Sequence, residues 1–315
     1  MAVLGPQPDY PIYDLKPIDL YLQLANVDDY IAEQEAKITD LKPDNEAKVV
    51  WYNDSVQVTE YALVYLHGFS SSQGEGDPVH REFAHRYGMN LYLSRLADHG
   101  RSSEDSFKGL TPKDLITSAK EAIAIGATIG KKVIVMSCST GGTYSAMLAP
   151  SDSRIHAMLM YSPNIELADP NAKLITYPWG EYILKAVLGD NHNRIQYTPA
   201  AQQYWNSCYH TDGIIALQAL LDDGMKDEYF QDITVPTLVG CYYKNATEQD
   251  HVISVDAAKV FFANIGTSDD LKVYKDFPEA GRHVFTSHIM VDDVSRVQQI
   301  SYEFAEDVLQ LSPID

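Results

Sequence analysis

From residue 48 onward, short apolar, β-branched runs alternate with stretches whose apolar positions recur every three to four residues. The runs fall at 49–52, 62–66, 90–93, 132–136, 157–161, 237–243 and 271–274. Continuous apolar runs of this length, bounded by turn residues, predict strands buried on both faces. Between them, 78–87, 111–127, 139–148, 254–265 and 292–311 carry the helical period. This alternation predicts an α/β domain with a mostly parallel, doubly wound sheet covered by helices on both sides. The first run stands only a short loop ahead of the second, so it is expected to be an antiparallel hairpin partner of it.

Two stretches break the alternation. Residues 1–45 read as an N-terminal arm that opens with Pro6, Pro8, Pro11 and Pro17 and ends in one amphipathic helix over 28–41. Tyr30, Ile31, Ile38 and Leu41 share one side of that helix, Lys42-Pro43 stops it, and the apolar side implies packing on the core. Residues 163–232 hold helix-like pieces at 178–188, 199–209 and 211–223 but no convincing parallel strand. An insertion there is most economically a helical cap on a core made of 46–162 and 233–315. Its aromatic residues, Tyr197, Trp205 and Tyr209 among them, serve either as the cap's own core or as a pocket wall.

Composition narrows the partners. The 315 residues carry 24 Lys+Arg against 44 Asp+Glu, a net charge of -20. That charge, with no basic patch, excludes nucleic acid as a partner. The apolar runs are far too short to span a bilayer. Cys138, Cys208 and Cys241 stand far apart with no CxxC, which argues against a disulfide scaffold and suits a reducing compartment. Met1-Ala-Val-Leu-Gly-Pro6 is neither basic nor long enough for a signal peptide, and the compartment stays open.

The chemistry gathers at strand ends. After the run at 132–136 comes Ser137-Cys138-Ser139-Thr140-Gly141-Gly142, followed by a helical pattern. A nucleophile on a sharp strand-to-helix turn needs small residues two before and two after it, because strand and helix approach closely. Ser139 meets this with Ser137 and Gly141, whereas Cys138 and Ser137 do not; a plain Ser/Gly helix cap is the alternative. After the run at 62–66, His67-Gly68-Phe69 allows a backbone turn that aims an N–H into a site. The Phe69 and Thr140 amides are therefore the expected oxyanion donors, with the His67 side chain structural. Asp98-His99-Gly100-Arg101-Ser102 is a tight turn without assigned chemistry.

Late in the chain, Asp250 is the best candidate for an acid that orients a histidine, with Glu248 and Asp256 as rivals. His283, after Gly281, is the candidate base, with His288 as its rival. Ser139, Asp250 and His283 stand in the order Ser-acid-His, one of the convergent orders of the triad. Gly74-Glu75-Gly76-Asp77 lacks the third glycine of a dinucleotide fingerprint and puts acids where a pyrophosphate would sit. The 126–131 stretch is one residue short of a P-loop, and His80 and His85 lie on different faces of their helix.

These residues resemble the α/β-hydrolase superfamily. The resemblance rests on His67-Gly68-Phe69, Asp98-His99-Gly100-Arg101-Ser102, the Ser137–Gly141 turn, Asp250-His251-Val252 and Gly281-Arg282-His283-Val284. It spans 48–311 and is nearest to capped serine esterases and lipases of the monoacylglycerol-lipase type. It implies an eight-stranded, mostly parallel sheet whose second strand is antiparallel, a serine acyl-enzyme mechanism and no cofactor. Only seven strands can be placed, so the first is either missing or replaced by the arm. Ser137 stands where the usual elbow has glycine. The implied substrate is a small acyl ester, with an amide, peptide or thioester as the alternative bond and a non-catalytic binding protein as the alternative class. The net charge favours neutral or cationic esters over highly anionic ones.

Overall fold

The structure, a computed structural model, describes residues 4–314. Its strands, in chain order, are β1 (Lys48–Val50), β2 (Thr59–Leu66), β3 (Asn90–Leu93), β4 (Gly130–Cys138), β5 (Ile155–Tyr161), β6 (His192–Arg194), β7 (Cys208–His210), β8 (Thr237–Cys241) and β9 (Lys272–Asp276). Its helices are α1 (Val27–Glu35), α2 (Val79–Arg86), α3 (Pro112–Ile129), α4 (Thr140–Leu148), α5 (Gly180–Leu188), α6 (Pro199–Tyr204), α7 (Asp212–Gly224), α8 (Asp227–Phe230), α9 (Val255–Asn264) and α10 (Ser295–Glu303). None of them is long and apolar enough to cross a membrane.

Seven strands form one sheet in the order β1-β3-β2-β4-β5-β8-β9, all neighbours parallel except β1 with β3. Each lies on a run that the hydrophobic pattern marks. The reason is visible in β4, where Val133 and Val135 join the core under α3 and α4 while Ile134 and Met136 join the core under α2 and α10. Successive side chains point to opposite faces, so a strand covered on both sides must be apolar at every position. Helix α3 starts where a capping box fixes it: the Thr111 hydroxyl takes the Asp114 N–H, the Asp114 carboxyl returns to the Thr111 N–H, and Pro112 occupies the first turn.

The first strand corrects the expectation of a hairpin. β1 is antiparallel, but it pairs with β3, because parallel β3 and β4 occupy both edges of β2. The loop carries the chain past β3 through Asn53 and Asp54, at φ 54° and 52°. The Asn90 side chain secures that crossing by accepting from the Tyr52 N–H at 3.0 Å and donating to the Gln57 carbonyl at 2.6 Å.

The arm helix is shorter than its apolar period. α1 stops at Glu35, and Leu41 bridges to Arg101 while the Lys42 N–H donates to the Gly100 carbonyl at 2.8 Å. Arg101 pairs with Asp40 at 2.9 Å and with Asp98, so the 98–102 turn anchors the arm. Ahead of α1 the extended segment is tied to both parts of the molecule. Lys120 Nζ lies 3.2 Å from Asp14, and an Arg154 guanidinium N–H donates to the Ile18 carbonyl. The Tyr13 hydroxyl donates to Asp223 at 2.6 Å, and the Trp179 N–H to the Pro6 carbonyl at 2.8 Å.

Within 163–232 the helix expected over 199–209 ends at Tyr204, and 208–210 instead pair with β6 as a two-stranded antiparallel sheet. The Asn206 N–H donates to the Ser70 carbonyl at 2.7 Å, which draws the chain off a helical path and onto the loop after β2. At the C-terminus α10 stops at Glu303, and a π-helical turn, Phe304–Val308, continues it.

Candidate active site

Every sequence-marked candidate of the central group sits at the carboxyl ends of the parallel strands, where α/β sheets open a crevice. Ser139 follows β4 directly and precedes α4. Its backbone is held at φ 53°, ψ -120°, and its N–H donates to the Tyr161 carbonyl at 3.0 Å. Such angles cost a non-glycine residue on the order of 1–3 kcal/mol and persist only where the surroundings impose them. Close approach imposes them here. A Cβ built on Gly141 would overlap the Leu66 carbonyl oxygen, so the helix start lies flat against the end of β2. Ser137 is fully buried, and its hydroxyl makes only a long contact of 3.4 Å to the Leu159 carbonyl.

His283 and Asp250 meet in space. His283 Nδ1 lies 2.6 Å from Asp250 Oδ2, and the Asp250 side chain is completely enclosed. Burial pushes the Asp250 carboxyl up, but the bond and charge of His283 and the N–H groups of Val252 and Ile253 outweigh it and hold it below its ordinary range. The other ring nitrogen, Nε2, is buried and has no partner among the described residues. The Ser162 hydroxyl, at the end of β5, donates to the His283 carbonyl at 2.9 Å and fixes that loop.

The rivals lie elsewhere. Glu248 pairs with Lys244 at 3.1 Å and with the Asn245 amide on an exposed turn. Asp256 is exposed in the first turn of α9, and the His288 side chain is exposed.

The loop after β2 closes over Ser139. A Cβ on Gly68 would lie 3.0 Å from the Ser139 Cβ, so a side chain there would crowd the Ser139 turn. His67 Nε2 accepts the Leu96 N–H at 3.1 Å, which leaves the proton on Nδ1 to donate to the Gly68 carbonyl at 2.9 Å. Burial lowers this imidazole to about 4, so it stays neutral and its work is structural. The N–H groups of Phe69 and Thr140 have no hydrogen-bond partner among the described residues.

A cavity of about 610 Å³ joins these groups. Ser139, Thr140, Phe69 and His283 line its floor, and Trp205, Tyr209, Ile214 and Leu217 of the 163–232 segment form an apolar wall. The same cavity reaches Glu75, which the sequence marks only within the rejected dinucleotide fingerprint at 74–77. Glu75 is fully buried, accepts the Gly68 N–H at 2.6 Å and the Tyr65 hydroxyl at 3.2 Å, and is pushed up to about 7 by burial. The available signal was an acid between two glycines, a few residues beyond His67-Gly68, in a loop that returns over Ser139.

No family model and no curated protein matches the chain. Solved structures do. A structure of the metagenome-derived lipolytic enzymes LipS and LipT is similar with a TM-score of 0.66 at 15% identity, over 84% of this chain and 98% of that one. A monoacylglycerol lipase from Paleococcus ferrophilus is similar with a TM-score of 0.58 at 13% identity, over 83% and 99%. Est1E from Butyrivibrio proteoclasticus with bound ferulic acid is similar with a TM-score of 0.56 at 15% identity, over 84% and 95%. The chain has the α/β-hydrolase fold. In that fold's terms the eight-stranded pattern lacks its first strand among the described residues, and β1 is the antiparallel strand that would follow it, left at the sheet edge.

Proposed function

We propose that the protein is a serine hydrolase that cleaves the carboxylic ester of an apolar acid through an acyl-enzyme. The observation that carries this reading is the enclosed Asp250–His283 bond on the cavity that also holds Ser139 at a strained turn. Ser139 Oγ attacks the acyl carbon while His283 Nε2 takes its proton; that nitrogen bonds neither Ser139 nor any other described residue here, so the transfer requires the two groups to close up when substrate binds. Asp250 fixes the proton on Nδ1 and stabilises the imidazolium. The Phe69 and Thr140 N–H groups receive the negative charge that develops on the carbonyl oxygen. His283 then returns the proton to the leaving alcohol, and a water repeats the sequence in reverse to release the acid. This chemistry calls for no cofactor.

The apolar wall supplied by 163–232 supports a hydrophobic acyl or aryl group over a sugar or a polyanion, and gives that segment the role of a cap. A fluorophosphonate probe tests the reading. The protein is expected to be labelled, and Ser139→Ala to lose both labelling and p-nitrophenyl ester hydrolysis by at least about 10³-fold. Labelling that persists in Ser139→Ala refutes the assignment.

A further inference from the structure

Glu75 is tied to both halves of the site. Its carboxyl Oε2 takes the Gly68 N–H at 2.6 Å. The Thr286 hydroxyl donates to the Glu75 carbonyl at 2.8 Å, and the Ser287 hydroxyl to the Gly74 carbonyl at 2.7 Å. Thr286 and Ser287 belong to the loop that carries His283, so the 73–76 turn bridges the histidine loop and the loop after β2. Space around the bridge is fully used. A Cβ on Gly68 would lie 2.7 Å from Glu75 Oε1 and 3.0 Å from the Ser139 Cβ, so Glu75 and Ser139 together close the space beside the Gly68 Cα.

Resting on the serine-hydrolase reading, we propose that Glu75 is a positioning residue for the oxyanion donors. By occupying the Gly68 N–H, its carboxyl sets the peptide that follows, so that the Phe69 N–H is the donor left for the developing charge. A charge-assisted bond of this length holds a loop more firmly than a neutral one. The hold is strongest when the carboxyl is ionised. Turnover is then sensitive to its protonation, which burial places at about 7, within the working range of such enzymes. The titratable groups that face it are Tyr65 from β2, Cys138 from β4, Tyr197 from the cap and His283 from the loop after β9. Of these, His283 is the one whose charge favours the ionised carboxyl.

The experiment compares wild type, Glu75→Gln, Glu75→Ala and Ser139→Ala on one soluble p-nitrophenyl ester across pH. In Glu75→Ala, kcat is expected to fall on the order of 10- to 100-fold with KM changed less than about 3-fold, as when an oxyanion donor is misaligned. Glu75→Gln, which keeps an acceptor for the Gly68 N–H, recovers most of that loss, and its rise of kcat with pH follows one ionisation fewer than wild type. Infrared difference spectra of the wild type titrate a buried carboxyl band at about pH 7 that Glu75→Gln lacks. Wild-type kcat in Glu75→Ala, or an unchanged pH profile in Glu75→Gln, overturns the positioning role. If Glu75→Ala fails to fold, the glutamine profile and the carboxyl band still decide. Ser139→Ala separates the two readings: activity retained there sinks the hydrolase itself, whereas a dead Ser139→Ala beside a fully active Glu75→Ala sinks only this proposal.

Discussion

Asp250 and His283, 33 residues apart in the chain, are joined by a 2.6 Å bond between Oδ2 and Nδ1. One comes from the loop after β8 and the other from the loop after β9, so adjacent parallel strands bring their carboxyl ends, and with them the two side chains, together. The enclosed carboxylate dictates where the imidazole keeps its proton. Asp250→Asn presents an amide that can hold the wrong tautomer, and kcat is expected to drop by about 10⁴-fold with KM little changed. Glu248→Gln, on the exposed turn beside Lys244, is expected to stay within about 2-fold of wild type. Steady-state kinetics on a p-nitrophenyl ester checks both, and equal losses in the two variants would remove Asp250 from its role.

The turn around Ser139 makes a separate prediction about size. Gly141 has no room for a Cβ against the Leu66 carbonyl, whereas Ser137 makes one long contact and could lose its side chain. Gly141→Ala is therefore expected to destabilise the fold by about 1–3 kcal/mol or to prevent it, as overpacking does in closed cores. Ser137→Gly, which restores the residue common at such turns, is expected to keep turnover within about 3-fold at a modest loss of stability. Urea unfolding read by circular dichroism, alongside turnover, distinguishes the two. A stable and active Gly141→Ala would contradict the close approach.

Local pattern carried much of this far. The central strands β2, β3, β4, β5 and β8 were legible because parallel strands buried on both faces cannot hide their composition. The Ser139 turn was legible because tight backbone geometry limits the side chains beside it. What was not legible depends on pairing across long distances. The partner of β1 is decided by which sheet edges remain open, and 49–52 reads the same beside β2 or β3. The early end of α1 follows from the Arg101–Asp40 pair and the Leu41 bridge, which override a continuing apolar period. Glu75 was legible only as an acid that spoils a dinucleotide fingerprint, and nothing local marks it as buried. Only the return of 73–76 over Ser139, pinned by Thr286 and Ser287, turns it inward.

The apolar cavity wall predicts how acyl length is chosen. Ile214 and Leu217 sit on α7, one turn apart on one face, and both line the cavity that Ser139 also lines. Ile214→Trp adds bulk there without adding charge. It is expected to lower kcat/KM for long-chain p-nitrophenyl esters by about 10-fold or more, while an acetate ester changes less than about 3-fold, since each lost methylene contact is worth roughly 1 kcal/mol. A chain-length series on the two proteins provides the measurement. Uniform loss across the series would place the acyl group elsewhere in the cavity.

Glu75 also predicts how stability changes with pH. In the unfolded chain its carboxyl titrates at its ordinary value of 4.5, and in the folded protein burial pushes it up to about 7. Between those values the folded state binds the extra proton, so stability falls as pH rises through the window and levels off above it. The cost of ionising the buried group is about 3 kcal/mol once the window is crossed, from 1.36 kcal/mol per pKa unit. Asp250 acts in the opposite direction: its folded value is depressed, so its contribution is complete above the ordinary carboxylate range and is lost only as pH falls below it. The two effects occupy different parts of the pH axis and can be separated. Glu75→Gln keeps the acceptor for Gly68 but cannot ionise, so its stability relative to wild type should improve by up to about 3 kcal/mol between about pH 5 and about pH 8. Urea unfolding of both proteins at the two pH values checks the difference. A constant offset between them would mean that Glu75 does not change its protonation in that window.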